Sequence, residues 1–155
     1  MNLDDKEGKM EWIIRFLATG FFVGYSPFVP GTMGTLVAFL LYAILPTTVT
    51  FYWMLILCLI IGGTVISHLA ENILGQVDSP KIVIDEICGY FLAMAFLPKT
   101  LGLMIVGFII YRLLDVVKIY PIKKFEVLAG GLGIMLDDIY AGVITNFILH
   151  IIHKL

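Results

Sequence analysis

The sequence predicts an all-α membrane protein: a multi-pass helical bundle of about five spanning helices, with a short N-terminal interfacial or re-entrant helix. Three observations predict it. Hydrophobic residues make up 60% of the 155-residue chain and charged residues 14%, against about 25% charged in soluble domains. No Asp, Glu, Lys or Arg occurs from Phe16 through Ala70, a stretch far longer than the ~20 residues one span needs. The rest of the chain divides into apolar runs separated by Pro- and Gly-containing turns. Strands are disfavoured, because an open sheet cannot satisfy its edges in lipid.

The elements follow in order. Residues 1–11 are acidic and mixed, without the basic start or small-residue cleavage site of a signal peptide, and are expected to remain as a solvated tail. Residues 12–155 are expected to form a single membrane-embedded domain. Residues 12–24 are apolar but would rise only about 20 Å as a helix, short for a ~30 Å hydrocarbon core. Ser26 to Thr35 carries two prolines and two glycines and reads as a loop that opens a helix, with Thr32 as its N-cap. Apolar helices are expected at 33–45, 50–73, 82–97, 100–118 and 133–153. Turn residues separate them: Pro46 to Thr48, Gly75 to Pro80, Pro98-Lys99, and Tyr120 through Gly133.

Charge and cysteine content exclude other classes. A net charge of −2 leaves no nucleic-acid footprint. Cys58 and Cys88 stand isolated in apolar runs, without metal-ligand spacing, and read as small buried hydrophobes.

Five carboxylates interrupt these helices: Asp85, Glu86, Asp115, Asp137 and Asp138. Ionisable groups at such positions cost several kcal/mol unless paired, hydrated or cation-bound. Alternating helix direction brings them together. Asp85 and Glu86 start one helix, Asp115 ends the next, and Asp137 and Asp138 start the last, so all five fall on one face of the bundle. Every acid outside the tail maps to that face. Lys81, Arg112, Lys118, Lys123 and Lys124 join them, against Lys99 and Lys154 opposite, which marks the acidic face as cytoplasmic.

Clustered carboxylates repel, and a hard divalent cation relieves the conflict; oxygen ligands suit Mg²⁺, which also bridges to phosphate. Arg112, Asp115 and Lys118 recur every third residue and share a helix face, suited either to a metal-and-phosphate site or to an internal salt-bridge ladder. Favourable helix-dipole placement explains the Asp85–Glu86 or Asp137–Asp138 pair, but not Asp115 near a helix C-terminus. Thr32, Thr35 and the Gly130-Gly131-Leu132-Gly133 run offer hydroxyls and backbone N–H groups to a phosphate, or serve as caps and turns. His68, Glu71 and Asn72 share a face near the same end and read as outer ligands or structural residues. Intramembrane acids equally suit a small cation- or proton-coupled transporter.

These motifs together resemble the phosphatidylglycerophosphatase A family of bacterial membrane lipid phosphatases. The carriers are Ser26-Pro27, Pro30 to Thr35, Ile84-Asp85-Glu86 with Gly89, Arg112 with Asp115 and Lys118, Pro121-Ile122, Gly130 to Asp138, and Ala141-Gly142. The resemblance implies Mg²⁺-dependent hydrolysis of phosphatidylglycerophosphate to phosphatidylglycerol and phosphate. It implies a multi-pass protein of the bacterial inner membrane, with its site facing the cytoplasm and a phospholipid as partner. Asp85, Glu86, Asp115, Asp137 and Asp138 would be catalytic and metal-binding. Arg112, Lys118, Thr32, Thr35 and Gly131 would hold the phosphate. Asp78, Glu71 and His68 would be lesser contributors. The chain departs from the family's Lys-Pro-x-Pro pattern at Lys118-Ile119-Tyr120-Pro121.

Overall fold

The computed structural model describes residues 3–46, 48–117 and 130–155, with side chains from residue 8 onward. The described residues form α1 (Leu3–Ala18), a 3₁₀ turn at Val23–Tyr25, α2 (Pro30–Ile44), α3 (Val49–Leu74), α4 (Ile84–Ala93), α5 (Leu101–Val117) and α6 (Gly131–Lys154). No strand occurs among them. The predicted all-α class therefore holds. Two helices, α3 and α6, are long and apolar enough to cross a membrane.

α4 sits at the centre, and beyond Asp85 and Glu86 in its first turn it is apolar on every side. Eight of its 10 residues are buried, and it packs against α2, α3, α5 and most extensively α6. Glycines permit the closest approach: a Cβ on Gly142 of α6 would overlap the Gly89 carbonyl of α4. Backbones meet this closely only where side chains are absent. Around α4 lies an aromatic core of Tyr42, Tyr52, Tyr90, Phe91 and Tyr111 with Met94, Met104 and Leu149. The outward faces are apolar too: Met54, Leu57, Ile61, Val65 and Leu69 line α3, and Ile105, Ile109, Leu113 and Val116 line α5, all exposed. Exposed apolar stripes of this extent fit a lipid surround.

Two elements differ from the sequence-based expectation. α1 begins at Leu3 rather than at residue 12. α4 ends at Ala93 although the sequence stays apolar to residue 97. The reason is tertiary. Tyr52 Oη donates to the Phe91 carbonyl at 2.6 Å and Tyr42 Oη to that of Met94 at 3.4 Å. Asn146 Nδ2 donates to the carbonyls of Ala93 at 3.0 Å and Ala95 at 2.9 Å. A helix end buried in the bundle needs partners for its last carbonyls, and three side chains from α2, α3 and α6 supply them. Phe96 then takes a positive φ of 59° and turns the chain outward.

The helix directions match the sequence reading. The C-terminal parts of α1, α3 and α5 and the N-terminal parts of α2, α4 and α6 form one end. Arg15 Nη2 donates to the Ile73 carbonyl there at 3.1 Å, and Ile14 and Ala18 pack on Ala70, Ile82 and Ile134. At the other end Lys99 Nζ reaches the Leu45 carbonyl at 2.8 Å. Cys88 is buried, but Cys58 is exposed on α3 rather than buried as its apolar surroundings suggested, because it lies on the outward stripe.

Candidate active site

The α2 N-terminus forms one wall of the site. Pro30 at the first helical position suits the fixed φ of a helix start. The N-cap is Val29, with φ 41°, not Thr32. Thr32 sits within the first turn, because the helix starts three residues earlier than the threonine would set it. A left-handed β-branched residue is costly, and here it delivers Gly31 against the acids. A Cβ on Gly31 would overlap Glu86 Oε1 and come within 3.2 Å of Arg112 Nη2. Thr35 Oγ1 donates to the Gly31 carbonyl at 2.9 Å and accepts from Arg112 Nη1 at 3.4 Å.

α4 and α5 supply the next groups. Asp85 is buried and Glu86 half-buried in the first turn of α4, side chain to side chain. The charges bearing on Glu86 besides Asp85 are those of Asp138, Asp115 and Arg112. Arg112 Nη1 pairs with Asp115 Oδ2 at 2.5 Å, both side chains largely sheltered at 13% and 15% exposure. The i,i+3 spacing thus produces an ion pair, one of the two arrangements the sequence left open.

α6 closes the site. Asp137 and Asp138 are both buried. Tyr111 Oη of α5 donates to Asp138 Oδ1, and a Cβ on Gly89 would overlap both Tyr111 Oη and the Asp138 carbonyl. Tyr111 was missed in the sequence, where it reads as one more packing aromatic. Its signal was position: it lies next to Arg112 and four residues before Asp115 on α5.

The structure thus brings together Asp85, Glu86, Arg112, Asp115, Asp138 and Thr35, with Gly31 and Tyr111 at the walls. Other predicted residues stand apart. Gly131 packs on α3, where a Cβ would overlap the Thr64 carbonyl, so helix packing demands this glycine. Gly130, at φ 80°, lies beside His68. Glu71 Oε1 accepts the Asp78 backbone N–H at 2.9 Å. His68 and Asp78 are exposed, whereas Glu71 is buried. Lys118 lies outside the described residues.

Fit to a cation rests on buried oxygens. Asp85 Oδ1 and Glu86 Oε2 have no hydrogen-bond partner among the described residues, and neither has Arg112 Nε. Unpartnered buried carboxylate oxygens suit a hard cation, and an unpartnered guanidinium N–H suits an anion. Among the described residues, no three acids, histidines or cysteines are gathered to hold one ion alone.

The pattern of the phosphatidylglycerophosphatase A family matches residues 16–153. The chain belongs to that family. It is 40% identical over 143 residues to phosphatidylglycerophosphatase A of Escherichia coli, covering 89% of this chain and 82% of that one. It is 33% identical to phosphatidylglycerophosphatase A of Haemophilus influenzae over 135 residues, covering 84% and 82%. A protein of Bacteroides thetaiotaomicron, provisionally named phosphatidylinositol-3-phosphatase, is 34% identical over 142 residues, covering 86% and 88%. No solved structure matches the chain. Family membership makes this chain a phosphatase.

Proposed function

We propose that this member of the family hydrolyses the terminal phosphate of phosphatidylglycerophosphate, giving phosphatidylglycerol and inorganic phosphate with Mg²⁺ as cofactor. One observation carries the reading: the family's motifs, scattered over four helices, meet at one end of the bundle around unpartnered carboxylate oxygens and a guanidinium.

Asp85 and Glu86 are the leading metal ligands, with Asp115, Asp137 and Asp138 as the remaining candidates. A bound Mg²⁺ supplies Lewis-acid polarisation of phosphoryl oxygens. Arg112, held by Asp115 and Thr35, presents a fixed guanidinium to the phosphate and to the charge that develops on it. A carboxylate of the cluster takes the proton of the attacking water. Lys118 and Thr32 remain candidate phosphate contacts.

In this reading the protein lies in the bacterial inner membrane with the acidic end in the cytoplasm, and the chain passes five times. Helices α2, α3, α5 and α6 cross. The pass through α4 is half helix, about 15 Å long, and is completed by residues 94–100. Irregular backbone at that depth is tolerated where protein groups satisfy it, as Tyr42 and Asn146 do here. α1 lies along the cytoplasmic interface. The acyl chains stay in lipid beside Leu36, Leu113, Val116 and Leu132, all exposed near the acids. A cation- or proton-coupled transporter is not favoured, since no acid occurs from Ile87 through Leu114 or after Asp138 to continue a path across.

The test is phosphate release by the detergent-purified protein from phosphatidylglycerophosphate, with Mg²⁺ and with chelator. Phosphatidylinositol 3-phosphate runs alongside because one relative bears that name. Release that needs the metal and falls in Asp→Asn variants at 85, 115, 137 and 138 is expected. Undiminished release from all four variants would falsify the carboxylate site.

A further inference from the structure

The end opposite the acids holds a cavity of about 400 Å³, lined by Tyr42, Tyr52, Phe96, Pro98, His150 and His153 among others. That volume lies within the range of small-molecule sites. Its lining includes no Asp or Glu. His150 and His153 line it. Lys99 Nζ stands 5.7 Å from the centroid of the lining Tyr42 ring. Lys154 follows His153 in the chain. The chain carries no Asp or Glu from Phe16 through Ala70, from Ile87 through Leu114 or after Asp138, the segments that build this end. His150 Nδ1 lies 3.0 Å from the Asn146 carbonyl. A carbonyl only accepts, so Nδ1 carries the proton, and Nε2 faces a ligand as an acceptor on the neutral ring and as a donor on the protonated one. From Asp138 to His150 along α6 is about 18 Å, so the cavity is separate from the carboxylate site.

The cavity wall is amphipathic. Trp53 packs on the lining Phe96 with ring centroids 5.0 Å apart. Trp53, Val49, Ile151 and Ile152 continue outward as exposed apolar surface. A cationic rim that runs into an apolar wall with an interfacial tryptophan matches an anion carrying hydrocarbon. An inorganic anion would have no use for the wall, and a zwitterionic headgroup would bring its own cation to a rim that holds Lys99 and no acidic side chain.

We infer that this cavity binds the phosphate headgroup of an anionic phospholipid, at the membrane face opposite the carboxylates. The inference rests on the membrane-embedded reading above and is independent of the chemistry assigned to the acids. His150, His153 and Lys99 contact or surround the phosphate, and the acyl chains descend along the α3 and α6 walls.

The test uses full-length protein in an uncharged detergent, with native mass spectrometry reading retention of dihexanoyl phosphatidylglycerol. Dihexanoyl phosphatidylcholine and inorganic phosphate serve as competitors. Phosphatidylglycerol is expected to bind more tightly than phosphatidylcholine, to weaken roughly fivefold in Lys99→Gln, and to weaken further in His153→Gln and His150→Gln, each of which removes a ring nitrogen from the lining. Lys99 and His153 are exposed, so their double variant decides the matter if His150→Gln does not fold. Binding that the double variant retains in full overturns the inference, as does equal affinity for phosphatidylcholine. Complete displacement by millimolar inorganic phosphate makes it a free-anion site and also overturns it. Asp115→Asn, assayed in parallel, should retain this binding while losing phosphate release. Lipid binding without phosphate release in wild type would therefore fault only the catalytic reading.

Discussion

The two ends of the bundle bury polar groups in opposite ways. Around the C-terminus of α4, the hydroxyls of Tyr42 and Tyr52 and the amide of Asn146 find backbone carbonyls. Tyr90 Oη does the same with the Met104 carbonyl at 2.9 Å. Around the N-terminus of α4, Asp85 Oδ1, Glu86 Oε2 and Arg112 Nε are buried without a partner among the described residues. Buried polar groups are normally satisfied, so the first set reads as structure and the second as groups suited to a ligand. Burial alone would not have separated them; the state of the hydrogen bonds does.

Substitutions can break that contrast in order of effect. Asp85→Asn or Glu86→Gln should lower phosphate release by roughly a thousandfold with little change in thermal midpoint. Near-normal turnover would place these acids with the structural set. Arg112→Lys keeps the charge but loses the planar fork, and turnover should fall about a hundredfold; initial-rate kinetics over substrate concentration measure it. Tyr111→Phe leaves Asp138 oriented only by its other neighbours. About a tenfold loss is expected, together with a change in the Mg²⁺ concentration giving half-maximal rate. An unchanged metal requirement would reduce Tyr111 to packing. At the other end, Tyr52→Phe should cost about 1–2 kcal/mol of stability and leave turnover per folded molecule unaltered. Detergent denaturation with parallel assay reads both.

The sequence carried the convergence of the acids because direction is conserved arithmetic. Each apolar run reverses the last, and Pro- or Gly-bearing turns mark the reversals, so Asp85, Asp115 and Asp138 fall together without knowledge of packing. The length of α4 was not legible. Residues 82–97 remain apolar, and the stop at Ala93 is imposed by Tyr42, Tyr52 and Asn146 from helices distant in sequence. Their signal was present as polar residues in otherwise apolar helices, but nothing local says which carbonyls they seek. The role of Gly31 was hidden for a similar reason. Its loop was visible as a helix start, whereas its contact with Glu86 and Arg112 depends on how α2 leans on α4 and α5.

The apolar surface reaching the rim of the acidic end has a kinetic consequence. Leu36, Leu113, Val116 and Leu132 face outward close to the acids. In the proposed reading a substrate then arrives by sliding within its own leaflet, and its tails never leave hydrocarbon. Encounter frequency becomes a two-dimensional quantity. Velocity should follow the mole fraction of substrate among the surrounding amphiphiles, and diluting the substrate with inert detergent at fixed bulk concentration should slow the enzyme.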